Sequence, residues 1–392
     1  MNSPAGRPLR VVIVGAGLGG LGAAISLRQR GFEVEVHERA PNLGEVGAGL
    51  QLGPNAVKVL DAMGLAEPLR KNTFEPGNRL TLNWNDASLR NRAATRGADV
   101  HNYGAPYLTA HRADLHRVLQ EALPENAVRL GRICTGAETR NGVAVATFAD
   151  GSQVEADIVV GADGVRSAVR ARLFGADKPR FTNSMCWRCI VPIDLVPAKV
   201  GPGGSISVEK TDHLSWYGPN GQVICYPVHG DGSMFNIFAG HATEGWVDES
   251  WTLPSSRAEL LDAYAGWNEA LLGMLARADD CFKWGIFDRD PIEQWTEGRV
   301  TLLGDAAHPT MPNLAQGANM AIEDGYTLAR NLVKHAGDID AALAGYVRER
   351  QPRTKMITLK SRENFQLSMQ WPPAPPIDRS WIFSFDATKE PA

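Results

Sequence analysis

The chain has 392 residues, of which 44% are hydrophobic and 21% charged, and a formal net charge of −4. Those values fit a globular chain with a sizeable core and exclude a disordered or collagen-like one. They give no electrostatic reason to expect nucleic acid or an acidic membrane as partner. No apolar run reaches the roughly 18 residues that a spanning helix needs. The opening MNSPAGRPLR has no apolar signal core, so a cytoplasmic protein is expected.

Residues 8 to 38 organise the rest. Leu9 to Val14 is a short β-branched run suited to a strand buried on both faces. Gly15, Gly17 and Gly20 follow as G-x-G-x-x-G, then an apolar helical pattern through Leu21, Ala24, Ile25 and Leu27 that Gly31 closes. Val34 to His37 reads as a second strand ending on Glu38. Gly15 permits a tight turn, Gly17 lets backbone approach a pyrophosphate, and Gly20 lets helix and strand pack closely. The helix N-terminus offers unpaired N–H groups to phosphate oxygens. Glu38 stands eighteen residues past Gly20, where a carboxylate can accept ribose hydroxyls. The order of these parts predicts a dinucleotide, either FAD or NAD.

Gly44, Gly47, Gly49 and Gly53 come next, with Gln51 among them. They form either turn material or a flat surface against a ligand. Pro54 then starts a helix that Gly64 ends. RLTLNWN alternates as a strand of a different sheet. YLTAHRADLHRVLQEAL is a helix starting near Ala113 or Asp114, with Arg112 at its entrance either paired to a phosphate or solvated. AVATF and QVEADIVVGADG resemble a hairpin, and Asp163 can cap a helix through its carboxylate.

From about 181 to 284 the chain reads as a mostly antiparallel sheet dense in aromatics, Trp187, Trp216, Tyr217, Tyr226 and Phe235 among them. Cys186 and Cys189 form a C-x-x-C, but a strand sends their side chains to opposite faces. With Cys134, Cys225 and Cys281 they read as scattered reduced thiols, and no metal site is expected. Val300 to Leu303 is another buried strand, ended by Gly304-Asp305. His308-Pro309 forces an extended turn, and Gly317, Ala318 and Asn319 open a long helix. One more helix follows, and the prolines of WPPAPPIDRSWIFSFDATKEPA predict an extended wrap over the surface.

Taken together, VVIVGAGLGGLGAA with Glu38, LTAHRADLHRVL, GADGVRS and LLGDAAHPTMPNLAQGANMAIEDGYTLA resemble the group A flavoprotein aromatic hydroxylases over residues 8 to about 360. GEVGAGLQLGPNAVKVLDAMGL and FDRDPIEQWTEGRVTLLGDAAHP resemble, within them, the branch of salicylate, 3-hydroxybenzoate and 6-hydroxynicotinate hydroxylases. The resemblance implies an α/β chain with a discontinuous FAD-binding Rossmann-like domain over 1–75, 101–180 and 285–365. Interleaved with it would be a mostly antiparallel β-sheet substrate domain over 76–100 and 181–284, with 366–392 as a tail.

By the same resemblance Gly15, Gly17, Leu18, Gly20, Glu38 and Arg39 hold the ADP half of FAD, and Arg112 and Asp305 the ribityl and pyrophosphate. Gln51, Gly317, Ala318 and Asn319 lie near the flavin ring, and Asp163-Gly164 serves both FAD and nicotinamide. NADH or NADPH docks only transiently, since there is no second G-x-G-x-x-G. The flavin activates O2 at C4a for transfer to a small aromatic acid. Tyr226 matches a tyrosine that lines the substrate pocket in this branch; Gln222 and Trp216 are further candidates for substrate contact. Arg188 either binds a substrate carboxylate or is a surface strand residue, and Tyr226, His308 and Pro309 form the candidate catalytic set. Gln51 and Gln222 stand where some relatives carry histidine. Deprotonation would then fall to His308, to a water, or to a substrate that enters ionised, unless His308 only braces the loop before Pro309. Relatives also suggest a homodimer. Alternatives are a hydroxylase or epoxidase of a larger substrate, a flavin-binding protein without turnover, and a plain NAD-dependent dehydrogenase.

Overall fold

The structure is a computed structural model that describes residues 7–44, 48–245, 253–372, 375 and 377–390; Gly47 of the glycine-rich stretch lies outside them. Two sheets carry the molecule. The first has six strands in the order Thr296–Glu297, Val300–Leu302, Ile158–Gly161, Arg10–Val14, Glu33–His37, Val128–Arg129, all pairs parallel except the first. The β-branched strands are buried on both faces, Val11, Val12 and Ile13 completely so, as parallel strands between covering layers must be.

Helix Leu18–Arg28 and helix Gly317–Lys334 lie against one another, although some three hundred positions separate them. Small residues make this possible. A Cβ on Gly19 would come 2.9 Å from Ala321 Cβ, and one on Gly325 would come 2.6 Å from the Ala23 nitrogen. Helix Leu18–Arg28 begins just past the C-terminal end of strand Arg10–Val14, where open α/β sheets bind ligands, and Gly317–Lys334 follows strand Val300–Leu302 after a loop over 303–316.

The second sheet has eight strands in the order Leu253–Pro254, Asp279–Asp288, Arg180–Pro192, Met234–Ala242, Gly221–Val228, His213–Gly218, Asn78–Asn83, Leu89–Ala94. It is antiparallel apart from the pairing of His213–Gly218 with Asn78–Asn83. The expected boundary at 285 falls inside its strand Asp279–Asp288. Helices Arg257–Ala263 and Glu269–Leu275 cover one face, over Leu80, Trp216, Val223, Cys225 and Ile237. Cys186 and Cys189 do point to opposite faces, Cys189 into this core and Cys186 to the other side, and all five cysteines are free.

A small antiparallel sheet, Gly49–Leu52, Leu108–His111 and Thr73–Phe74, joins the two large ones. Asn236 Oδ1 accepts the Gly49 amide at 2.7 Å, and Thr109 Oγ1 donates to the Pro227 carbonyl at 2.6 Å. The expected hairpin gains a third strand, giving Cys134–Arg140, Val143–Phe148 and Gln153–Ala156. Helix Ile339–Ser368 accounts for the last long helix. Beyond it the expected surface wrap is corrected: helix Ser380–Phe383 buries Ile382 and Phe383 against Tyr107 and Leu314. Two large apolar side chains on a turn of helix gain more by leaving water than an extended strap would. No described helix is long and apolar enough to cross a membrane.

Candidate active site

A first cavity opens at the end of the strand Arg10–Val14 and is lined by Gly15, Gly17, Glu38, Arg39, Arg112 and Asp163 together with their neighbours. Gly15 has φ +106°, and a Cβ there would meet the Ala162 carbonyl oxygen at 2.3 Å. A Cβ on Gly20 would lie 2.0 Å from the Gly15 oxygen, so Gly20 sets how closely the helix approaches the turn. Gly17 faces open space within 4 Å, the room a pyrophosphate needs to reach backbone N–H groups. The Leu18 side chain is buried in the core, so only its backbone, at the first position of the helix, is available to the cavity. The carboxylate of Glu38 spans the turn, accepting the Ala16 amide at 2.8 Å and the Ala40 amide at 2.9 Å.

Asp163 caps helix Ala168–Phe174 from outside it. Its carboxylate accepts the Ala168 and Val169 amides at 2.7 and 3.2 Å and the Ser167 hydroxyl at 2.5 Å, while Ser167 is the formal N-cap. Burial raises its pKa above the ordinary aspartate value, the hydrogen bonds opposing this.

A second cavity shares Arg112 and Arg166 with the first. Gly49, Leu50 and Gln51 form one wall, and Asp305, Pro309 to Pro312, Gly317 and Ala318 the facing one. A third comes from the open face of the eight-stranded sheet. The register places Arg188 opposite Phe238 and Phe238 opposite Ile224, so with Gln222, Tyr226 and Trp284 they present one continuous surface. The Arg188 guanidinium lies 4.4 Å from the Trp284 ring centre and 5.7 Å from that of Phe238. Burial lowers its pKa. Burial raises the pKa of Tyr226 well above the usual phenol value. Its ring stacks on His213 at 5.6 Å, and its hydroxyl bonds to Gln51, which also accepts from Tyr107. Burial likewise raises Asp305.

Three expected site residues do not face this cavity. Trp216 pairs with Val223 across the strands, whereas Gln222 pairs with Tyr217, so strand alternation turns the indole into the covered core. His308 is buried beside Trp295, with Nε2 2.6 Å from Asp324 Oδ2, and it does not line the cavity. Asn319 ties the helix to the glycine wall, accepting the Gly53 amide at 2.7 Å and donating to the Gln51 carbonyl at 2.9 Å. Phe238, Ile224, Trp284 and Tyr107 join the site without a motif to announce them. Strand alternation with Gln222 and Tyr226 carries the signal for Ile224, whereas Phe238 is placed by its pairing with Arg188 and Ile224.

Beneath the second helix lies a buried charge network. Asp324 accepts from Arg350 Nε at 2.7 Å and from the Gly304 amide at 3.0 Å, while Glu323 accepts from Arg353 at 3.0 Å and Asn55 at 2.6 Å. Burial alone would raise the Asp324 carboxyl, but His308 and Arg350 hold it at about 2.

A phosphate-accepting turn at one parallel strand, joined through Arg112 to an aromatic-floored cavity at a second helix N-terminus, defines a flavoprotein of dinucleotide type. The model of the FAD binding domain family matches residues 8–361, and the chain belongs to that family. It is 39% identical to 3-amino-4-hydroxybenzoate 2-monooxygenase of Streptomyces platensis, over 97% of both chains. It is 35% identical to 6-hydroxynicotinate 3-monooxygenase of Pseudomonas fluorescens, over 97% of this chain and 96% of that one. A solved salicylate hydroxylase substrate complex superposes with a TM-score of 0.80 at 26% identity, covering 97% and 96% of the two chains. The chain is thus an FAD-dependent monooxygenase using NAD(P)H.

Proposed function

We propose that the chain hydroxylates a small aromatic acid whose carboxylate binds Arg188. The observation that carries this reading is the position of that arginine: in the cavity wall, between aromatic faces, with no carboxylate partner among the described residues. A cation held there without a counter-ion is matched by an anionic ligand, and a guanidinium can meet a carboxylate through two parallel hydrogen bonds. The names of the relatives, which act on aminohydroxybenzoate and hydroxynicotinate, support the same class.

Bound FAD would supply the oxygenating chemistry, with NAD(P)H as the two-electron reductant and O2 as the oxidant. Gly15, Gly17, Glu38 and Arg39 would hold its nucleotide half. Gln51, Asp305, Gly317 and Ala318 would flank its ring, and Arg112 would stand between the two parts. Trp284, Phe238 and Ile224 give the substrate ring an apolar surface. Pro309 to Pro312 close the facing side, which limits the water that reaches the reacting atoms.

Tyr226 stays protonated near neutral pH, because burial disfavours the phenolate. It therefore orients the substrate's ring hydroxyl by a hydrogen bond and does not act as the base. Gln51 fixes the Tyr226 hydroxyl from the opposite side and is itself held by Tyr107. The substrate then enters ionised or loses its proton to water. Homodimerisation and a cytoplasmic location belong to this reading and are tested by sedimentation and cell fractionation.

The deciding experiment adds a panel of hydroxybenzoates, aminohydroxybenzoates and hydroxynicotinates to purified holoenzyme. NADH or NADPH oxidation is followed together with product mass. At least one acid is expected to stimulate oxidation about tenfold or more and to gain one oxygen atom. If no member of the panel does so, the substrate class is wrong, whatever the cofactor content.

A further inference from the structure

We propose that His111, Asp114 and His229 form a binding site for a divalent transition metal ion of the zinc type, at the seam between the two large sheets. Each offers one ligand atom, and these atoms all lie within 4.8 Å of one another. The two imidazoles stack at 4.8 Å with an angle of 21° between them, and His229 Nδ1 lies 2.6 Å from Asp114 Oδ2. Two imidazole nitrogens and one carboxylate oxygen suit zinc, cobalt, nickel or copper. Magnesium and calcium prefer all-oxygen sets.

The backbone brings the three together from separate parts of the fold. His111 ends the strand Leu108–His111, where it pairs with Gly49, and it is also the N-cap of helix Arg112–Glu121. Asp114 stands three positions on, in the first turn, on the same side of the helix. His229 sits in the turn between strands Gly221–Val228 and Met234–Ala242 with φ +65°, a left-handed conformation that few side-chain-bearing residues adopt.

The surrounding charges allow a cation. Arg117 donates to Asp114 Oδ1 at 3.2 Å, which orients the carboxylate and leaves Oδ2 toward the histidines. That arginine is half exposed, so its repulsion is screened. Asp231 is near enough to interact electrostatically with His229 and adds negative charge there. Ligand atoms around a tetrahedral ion at about 2.0–2.1 Å stand roughly 3.3 Å apart. The His229–Asp114 pair must therefore open by several tenths of an ångström. All three side chains are partly exposed, so this requires no repacking of a core. Coordination through Nδ1 displaces the hydrogen shared with Asp114 to the other ring nitrogen or to solvent, and a water completes the fourth position.

Such an ion would tie the helix that begins with Arg112, which lines both cavities, to the strand that carries Gln222 and Tyr226. The site does not depend on the substrate reading. The test is calorimetric titration of chelator-stripped holoenzyme with ZnCl2, beside thermal unfolding with and without the metal and MgCl2 as control. One zinc ion per chain is expected to bind and raise the unfolding temperature, with no effect of magnesium at the same concentration. His229→Asn retains a residue that tolerates the left-handed backbone and is expected to weaken binding about a hundredfold. Should that variant fail to fold, Asp114→Asn gives the same reading. Wild-type affinity no greater than that of either folded variant would overturn the proposal.

Discussion

The two cavities that meet at Arg112 are built in opposite ways. The nucleotide cavity is made of backbone: a turn at Gly15, open space beside Gly17, a close approach at Gly20, and a carboxylate that accepts two amides. The ring cavity is made of side chains drawn from several chain segments on three walls. The first has no room for a side chain at Gly15 or Gly20, whereas the second can be retuned one side chain at a time. Shape is fixed at the shared cofactor end and chemistry is adjustable at the substrate end.

The largest effect that sharpens this contrast is Gly20→Val. Its Cβ would collide with a backbone oxygen that has no room to retreat. The expected loss exceeds about 4 kcal/mol, and chemical denaturation and the flavin absorbance of purified protein would both register it. A folded, yellow Gly20→Val protein would break the comparison.

Next comes Asp324→Asn, which leaves Arg350 and His308 without their common anion. We expect about 3 kcal/mol of destabilisation in a urea titration. The pH dependence follows from the depressed carboxyl. Its stabilising contribution is complete above the ordinary value of 3.8 and is lost as pH falls through about 2, amounting to roughly 2 kcal/mol. The variant should therefore show a flatter acid limb between those two values.

Arg188→Ala should raise KM for the aromatic acid by about 10- to 100-fold, the range expected for a lost charge-assisted hydrogen bond. FAD content should not change. Equal KM in variant and parent would remove Arg188 from substrate binding. The smallest effect is expected of Trp216→Phe. It should cost about 1–2 kcal/mol of stability and leave KM within about twofold, because the indole lies across the sheet from the ligand. A large change in KM would contradict the strand register.

How much of this is legible in the sequence follows from the same contrast. Glycine positions, a buried strand and an acid at fixed spacing announce a backbone-built turn, so spacing alone places Gly15, Gly17, Gly20 and Glu38. The ring cavity depends on which face of a strand each side chain takes. Tyr226 and Trp216 both look like ligand-facing aromatics, and only the pairing of Trp216 with Val223 turns one of them away. His308 follows a similar logic: the His-Pro turn is visible, but its partner Asp324 lies sixteen positions on, inside a helix. The docked segment at Ile382 and Phe383 is hidden by the prolines before it, because propensity says nothing of the groove that Tyr107 and Leu314 provide.

The parallel pairing of Asn78–Asn83 with His213–Gly218 has a consequence for anyone who wishes to alter what this chain acts upon. The sheet beneath the ring cavity is woven from two distant lengths of polypeptide, so it cannot be lifted out and exchanged as a cassette between related proteins. New substrate ranges on this scaffold must come from replacing individual residues in place.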